Sequence, residues 1–360
     1  MGHGYMIRKV LLKEILPGME LGTEVLLPGN GRMLEEGTVL TTELLARFKK
    51  GGVASLDIRQ REEWPDILAK SLNEPAEKKR FMSVYMETVQ SVKDAFQDMR
   101  VCERLSMDEM ERLVQGMILP MLNYRGIIHN LYELHACDEY TFHHSVKVAL
   151  LCGVIGKWMG YEEEAICQLS LAGLLHDVGK SRIPLELLTK PGKLTPAEMA
   201  IMQQHVTKGY ELLQKSGVIV AWPVACAVLQ HHERMDGSGY PHRTCGGELH
   251  PYAKIVAVAD VYDAMTSDRV YRKRHTPFKV LKTLTEEMFG KLDPDVCTTF
   301  MNNIRDYLIG NRVKLSDGRL AEVVALHHPM ATRPVVRTQA GDFIDLESEK
   351  NIVIIEIIND

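Results

Sequence analysis

The segment His231 to Pro241 reads HHERMDGSGYP: two adjacent histidines and a glutamate end the apolar run WPVACAVLQ, and a loop punctuated by glycine follows at once. Ionisable groups on an apolar face are costly to bury unless a partner or a cation compensates them. The same pattern recurs at four other places. His144 stands one helical turn before Val148 on the stripe Val148, Leu151, Cys152 and Ile155. His176, followed by Asp177, shares a face with Ile166, Leu169, Ala172 and Gly173. His205 shares one with Met202, Gly209 and Leu212, and Asp260 with Val256 and Ala264.

Taken singly, each of these reads as a hydrogen-bonded core residue, and for His205 alone that reading is the better one. Together they read differently. Five imidazoles (His144, His176, His205, His231, His232) and two carboxylates (Asp177, Asp260) exceed what one tetrahedral zinc uses and suit two cations in mixed nitrogen and oxygen coordination. Neighbouring helical residues diverge by ~100°, so His231 and His232 are expected to serve different metals. Asp177 has two oxygens and is expected to bridge them.

The elements that must place these groups are helices. From about Glu74 to Gly310 the spacing is helical, with Phe81, Val84, Tyr85, Val89, Val92 and Phe96 on one face. Thr195 and Glu198 form a capping-box signature with Pro196 at the first helical position, which predicts one helix carrying His205. Gly179 is expected to end the helix of His176. Short apolar runs broken by Pro-Gly and Gly-Asn-Gly before residue 60, and strands joined at Asp-Gly and Ala-Gly-Asp after residue 310, predict a β-rich unit at each end. The fold class is mainly α, an all-helical bundle with small β-rich modules at the N- and C-termini. The expected divisions are 1–70 (β-rich module), 71–124 (helical connector), 125–310 (functional domain) and 311–360 (C-terminal β module).

Composition excludes several classes. No run approaches the roughly 18 to 20 apolar residues of a membrane span, and the first residues lack a secretory core, so a cytoplasmic protein is expected. Seven cysteines without a C-x-x-C pair read as reduced core thiols. A net charge of −5 argues against wrapping long nucleic acid, while a local basic cluster leaves a small anionic ligand open. The amphipathic stretch from Glu74 to Arg100 leaves a homodimer open.

In order, HDVGK, QHVTKGYELL, HHERMDGSGYP and DVYDAMTSDRVYR resemble the HD-GYP family, a branch of the HD-domain metal-dependent phosphohydrolases. The resemblance covers about residues 125 to 310. It implies an all-helical HD-type fold, a centre of two or three iron or manganese ions, and hydrolysis of cyclic di-GMP in bacterial signalling. Carried onto this chain, the metal ligands are His144, His176, Asp177, His205, His231, His232 and Asp260. Tyr240 would contact the nucleotide under the loop that covers it, Lys180 would hold a phosphate oxygen, and Arg269 and Arg272 would grip phosphate or guanine edges. Two metals about 3.5–4 Å apart would polarise the phosphodiester and support in-line displacement.

Other residues are read more plainly. Lys273, Arg274 and His275 read as a solvated basic face, and Glu233 as a support orienting one imidazole. His143, His242, His250, His327 and His328 read as surface or loop histidines, with His143 a weaker rival to His144. Asp263 faces the same way as Asp260 and supports a ligand. The chain departs from the family pattern at Val270, where a proline is usual, and at Tyr140, where members with a third metal place a glutamate, so two metals are expected. The product expected is the linear dinucleotide pGpG. The alternatives are an HD phosphohydrolase acting on another cyclic dinucleotide or a nucleotide, and a non-catalytic cyclic di-GMP receptor signalling to a partner through the β modules.

Overall fold

Alternating and helical periodicities sort into separate bodies in the computed structural model, which describes residues 5–12, 15, 19–28, 32–61, 75–102, 105–124, 126–134, 140–190, 192–217, 220–267, 274–327 and 332–358. One compact unit comprises Met1–Glu74 and Ile309–Val353, the other Pro75–Leu308 and Ile354–Asp360.

In the first unit, β1 (Tyr5–Leu11) pairs antiparallel with β5 (Ser55–Arg61) along its whole length, and β2 (Glu20–Leu21) lies on the other side of β5. β3 (Val25–Leu27) and β4 (Arg32–Leu34) make a separate hairpin. Helix α1 (Thr42–Lys50) starts where the Thr41 hydroxyl accepts the Leu44 N–H, and it buries Phe48 against Leu21, Leu40 and Ile58. Strands β6 (Arg312–Leu315), β7 (Leu320–Ala325), β8 (Val335–Thr338) and β9 (Phe343–Asp345) pair in sequence order as an antiparallel meander. Their buried residues alternate with exposed ones, as a sheet with one covered face requires.

The second unit is helical. α2 (Pro75–Cys102) buries Phe81, Tyr85, Val89, Val92 and Phe96 on one face and packs on α4 (Tyr140–Trp158). Between them, α3 (Ile127–Glu133) follows a helical stretch that runs from Met107 to Met121 through a π turn at Val114–Ile118. α4 packs along α5 (Glu163–Leu175), and a 3-10 turn, Val178–Arg182, leads on to α6 (Pro196–Gln203), α7 (His205–Gln214) and α8 (Trp222–Gln230). α9 (Pro251–Thr266) lies on α4 and α8, and α10 (Pro277–Glu287) and α11 (Pro294–Leu308) complete the bundle. Both α4 and α5 are apolar on nearly every side, as the central helices of a large core must be. Among the described residues, no helix is long and apolar enough to cross a membrane.

Two local expectations need correction. The single helix over His205 is two: the capping box at Thr195 and Glu198 starts α6, but the chain breaks at Gln204 and His205 opens α7. The His205 ring itself takes up the Met202 carbonyl, at 2.8 Å, and its position at the start of a helix brings the imidazole inward. Gly179 does not end α5, which stops at Leu175; the glycine lies in the 3-10 turn. Its role is close approach, because a Cβ there would stand 1.9 Å from the His205 carbonyl oxygen and 2.4 Å from the Gly209 nitrogen.

Candidate metal centre

Four helix ends and one helix interior converge. His144 comes from α4, His176 and Asp177 from the end of α5, His205 from the start of α7, His231 and His232 from the end of α8, and Asp260 from within α9. His144, His176, Asp177, His205 and His231 are buried, and His232 and Asp260 are partly so. The seven residues fall into two overlapping groups. Ligand-capable atoms of His144, His176 and Asp177 lie within 4.8 Å of one another, and so do those of Asp177, His205, His231 and His232. Asp177 belongs to both. Asp260 lies alongside, its Oδ1 3.2 Å from His144 Nε2 and its Oδ2 4.0 Å from His232 Nδ1.

The orientation of each ring follows from what its other nitrogen does. Nδ1 of His176 donates to the Gly173 carbonyl at 2.8 Å, that of His205 to Met202 at 2.8 Å, and that of His231 to Val228 at 3.0 Å, in each case three residues back. His144 Nδ1 donates to Asp263 Oδ2 at 2.7 Å. With Nδ1 carrying a proton in each, Nε2 is the nitrogen that faces the centre, the orientation a metal needs. The consequence is crowding of acceptors. Nε2 of His144 and His176 stand 3.2 Å apart, and Nε2 of His205 and His231 3.5 Å apart. Asp177 Oδ1 is buried without a hydrogen-bond partner although His205 Nε2 is 3.3 Å away. Nitrogens and an orphaned carboxylate oxygen facing one another are satisfied by a cation between them, and the donor set suits a divalent metal.

Electrostatics keep His205, His231 and His232 uncharged. Burial holds the His231 imidazole well below its ordinary value, reinforced by His232 and His176, and burial and His205 hold His232 down at about 3 despite Asp260. Burial also lowers His205. Only His144 moves the other way: burial opposes its charge, but its bonds to Asp260 and Asp263 outweigh that and raise it to about 9. Burial likewise works against the Asp177 carboxylate, yet Lys180 and His176 hold it well below the usual range.

The HHERMDGSGYP segment closes the site from one side. The Tyr240 ring lies on the His232 imidazole, with centroids 4.8 Å apart and planes at 29°, and the Tyr240 N–H donates to the His232 carbonyl at 3.3 Å. Gly239 permits this, since a Cβ would sit 2.4 Å from Glu233 Cα. Glu233 does not orient an imidazole as expected. Its buried carboxylate accepts the His242 N–H on Oε1 at 2.7 Å and the Thr244 N–H on Oε2 at 3.1 Å, so it holds the far side of the loop. Lys180 Nζ donates to Asp177 Oδ2.

Elsewhere the outcomes are mixed. His143 turns away from the centre to the Tyr85 hydroxyl, 3.0 Å from its Nδ1. His250 caps α9, accepting the Tyr252 N–H at 3.1 Å, and His327 pairs with Asp345 at 2.9 Å. Arg274 is not merely solvated: it donates to the Tyr132 carbonyl at 2.6 Å and lies 4.4 Å over the Tyr132 ring. Arg269, Val270, Arg272, Lys273 and His328 lie outside the described residues, as does the side chain of Tyr140. Sequence reading missed Lys147, a buried lysine of α4 whose Nζ stands 3.9 Å from Asp263 Oδ1. A charge between Val146 and Val148 on an apolar helix was the available signal.

A helical bundle that gathers histidines and an HD doublet in this way defines the HD-domain class, and residues 131–296 match the HD domain family model. The motif order and the curated relatives narrow this and support the HD-GYP family. It is 33% identical over 247 residues to a cyclic di-GMP phosphodiesterase of Pseudomonas aeruginosa, covering 69% of this chain and 59% of that protein. It is 41% identical over 165 residues to a cyclic di-GMP phosphodiesterase of Thermotoga maritima (46% of this chain, 45% of that protein). It is also 38% identical over 174 residues to 3'3'-cGAMP-specific phosphodiesterase 1 of Vibrio cholerae (48% and 40%). The chain thus spans about half the length of these curated relatives. An HDG"Y"P protein from Bdellovibrio bacteriovorus shares the fold, with a TM-score of 0.52 at 16% identity, covering 82% of this chain and 98% of that one.

Proposed function

We propose that this protein is a metal-dependent phosphodiesterase that opens cyclic di-GMP to linear pGpG. The observation that carries the reading is Asp177, one buried carboxylate common to two groups of ligand-capable side chains. The relatives named as cyclic di-GMP phosphodiesterases supply the substrate. His144 and His176 with Asp177 would hold one cation, and His205, His231 and His232 with Asp177 a second, with Asp260 alongside. Iron or manganese suits the nitrogen and carboxylate set. When bound, the cations supply Lewis acidity for in-line displacement at phosphorus. Water adds across one P–O3′ bond, leaving a 5′-phosphate and a protonated 3′-oxygen.

The chain's own residues would bind and orient. Lys180 is half-buried at the edge of the centre, where its ammonium can move from Asp177 to a phosphate oxygen. Tyr240, stacked on His232, would contact the nucleotide, while Arg269 and Arg272 would grip the dinucleotide. Residues 125–310 would form the catalytic domain, 71–124 a connector able to pair with a second copy, and 1–70 and 311–360 modules that meet a signalling partner.

A second reading, 3'3'-cGAMP as substrate, rests on the 38% identity to the Vibrio cholerae enzyme. One experiment separates these. Protein purified without oxygen and loaded with Fe²⁺ or Mn²⁺ is given cyclic di-GMP or 3'3'-cGAMP, and linear product is followed by chromatography. Faster turnover of cyclic di-GMP supports the first reading and faster turnover of 3'3'-cGAMP the second. Binding of cyclic di-GMP without product from fully loaded protein would instead identify a receptor.

A further inference from the structure

We propose that Lys147 is a positioning residue that fixes, through one buried relay, both the nitrogen His144 offers to the metal centre and the C-terminal end of α9. The residues are on three elements. Lys147 lies one turn after His144 on α4, Asp263 and Ser267 lie at the end of α9, and Leu134 follows α3. Side chains of Lys147, Asp263 and His144 are all 4% exposed or less. Lys147 Nζ donates to the Leu134 carbonyl at 3.2 Å and to the Ser267 hydroxyl at 3.3 Å. The Ser267 hydroxyl donates to Asp263 Oδ1 at 3.0 Å, and Asp263 Oδ2 accepts from His144 Nδ1 at 2.7 Å.

The direction of every bond in this chain is forced. A lysine amino group only donates, so the serine oxygen accepts from it and has its single proton left for Asp263. The ionised carboxylate only accepts, so the proton it receives on Oδ2 belongs to His144 Nδ1. His144 Nε2 is thereby the nitrogen turned to the centre, 3.2 Å from Asp260 Oδ1 and from His176 Nε2 and 3.6 Å from Asp177 Oδ2. Without Lys147 the Ser267 hydroxyl loses the donor that commits its proton to Asp263, and the carboxylate keeps one firm partner fewer in a dry pocket where unpaired oxygens are costly.

The relay also anchors backbone. Ser267 N–H donates to the Asp263 carbonyl at 2.9 Å, and Ser267 stands two positions before Arg269 in the sequence. Lys147 holds the Leu134 carbonyl as well, at the C-terminal cap of α3. One amino group therefore ties the ends of α3 and α9 together and, through Asp263, sets which nitrogen of His144 faces the metal centre.

The effect on substrate binding rests on the phosphodiesterase reading above; the effect on metal binding does not. The test uses the full chain with Lys147→Met, which keeps length and apolar bulk, Lys147→Arg, which keeps the donors, and Ser267→Ala, which removes only the hydroxyl of the relay. Mn²⁺ affinity is measured by competition with a chelating dye, and KM and kcat for cyclic di-GMP on the manganese-saturated protein. Loss of a group supporting a ligand costs about 10–100-fold in metal affinity, and Lys147→Met should weaken Mn²⁺ binding in that range. It should also raise KM, while kcat at saturating metal and substrate is retained. Lys147→Arg should lie closer to the wild type, which a role in filling space alone would not produce. Unchanged Mn²⁺ affinity and KM in folded Lys147→Met would overturn the proposal. Should that variant not fold, Ser267→Ala decides: weaker Mn²⁺ binding upholds the relay, and wild-type affinity and KM overturn it. If the wild type binds Mn²⁺ but turns over no cyclic dinucleotide, the phosphodiesterase reading fails while weakened Mn²⁺ binding in Lys147→Met still upholds the relay.

Discussion

His144 and His176 meet Nε2 to Nε2 at 3.2 Å, with both Nδ1 atoms already committed to other acceptors. Two ring nitrogens so placed cannot both point a proton at the other, and a bound cation between them turns the contact into coordination. Metal should therefore stabilise the fold. A ligand at 100 times its dissociation constant adds about 2.7 kcal/mol per site, so addition of Mn²⁺ should raise the thermal unfolding midpoint and excess chelator should return it. A midpoint indifferent to both would show that these nitrogens are satisfied without metal.

Asp177→Ala removes the one residue common to both ligand groups. Metal content should fall at both sites, measured by elemental analysis, and cyclic di-GMP turnover should drop by at least about a thousandfold, the scale of losing a major electrostatic element of a reaction centre. Retention of one full equivalent of metal would mean that the two groups do not depend on a shared carboxylate.

Glu233→Gln should leave metal content unchanged and loosen the loop. The glutamate accepts two backbone N–H groups, and a glutamine offers one oxygen and a donor, leaving His242 or Thr244 unmatched at a cost of about 1–3 kcal/mol. Hydrogen exchange at the amides of His242 and Thr244 should accelerate by roughly tenfold or more, since each 1.4 kcal/mol of opening energy is a factor of ten. Native protection at both amides would return Glu233 to the role of orienting an imidazole.

How far the sequence could be read depended on where each residue's partners lie. The apolar stripes placed His144, His176, His205, His231, His232 and Asp260 on inward faces, because burial of one helix face is a local property of spacing. The capping box at Thr195 was equally legible, being complete within four residues. The break at Gln204 was not, since it depends on Gly179 meeting His205 and Gly209 across the chain. Glu233 was misassigned for a related reason: its partners follow it by nine and eleven residues in a loop that no periodicity describes. Lys147 was overlooked because its partners are Asp263 and Ser267, more than a hundred residues on.

Tyr240 tests whether the loop belongs to the metal centre or only to the substrate. Its ring stacks on His232, 4.8 Å between centroids, and lies 6.4 Å from that of His205. Tyr240→Phe keeps that stack and should hold metal as the wild type does, with any loss confined to KM. Tyr240→Leu removes a contact worth about 0.5–1.5 kcal/mol and should weaken the metal bound by His205, His231 and His232 by roughly two- to tenfold. Equal metal affinity in the two variants would confine Tyr240 to the substrate.

The number of metals turns on Tyr140, which begins α4 one helical turn before His144. A further cation would bring two positive charges into a pocket where burial already disfavours the charged forms of His205, His231 and His232, and moving such a charge out of water is unfavourable unless carboxylates compensate it. Asp177 and Asp260 are already placed among the seven expected ligands, Asp263 is engaged by His144 and Ser267, and Glu233 by backbone amides. A phenol at residue 140, with a reference pKa of about 10, adds no charge near neutral pH. Anomalous scattering at the metal edge should therefore show two ions per chain, and three well-occupied peaks around Asp177 would refute the count. Tyr140→Glu supplies the missing carboxylate one turn from His144 and should raise the bound metal towards three equivalents in the same elemental analysis. If the variant folds, holds two ions and gains none, the charge at position 140 is not what limits the centre.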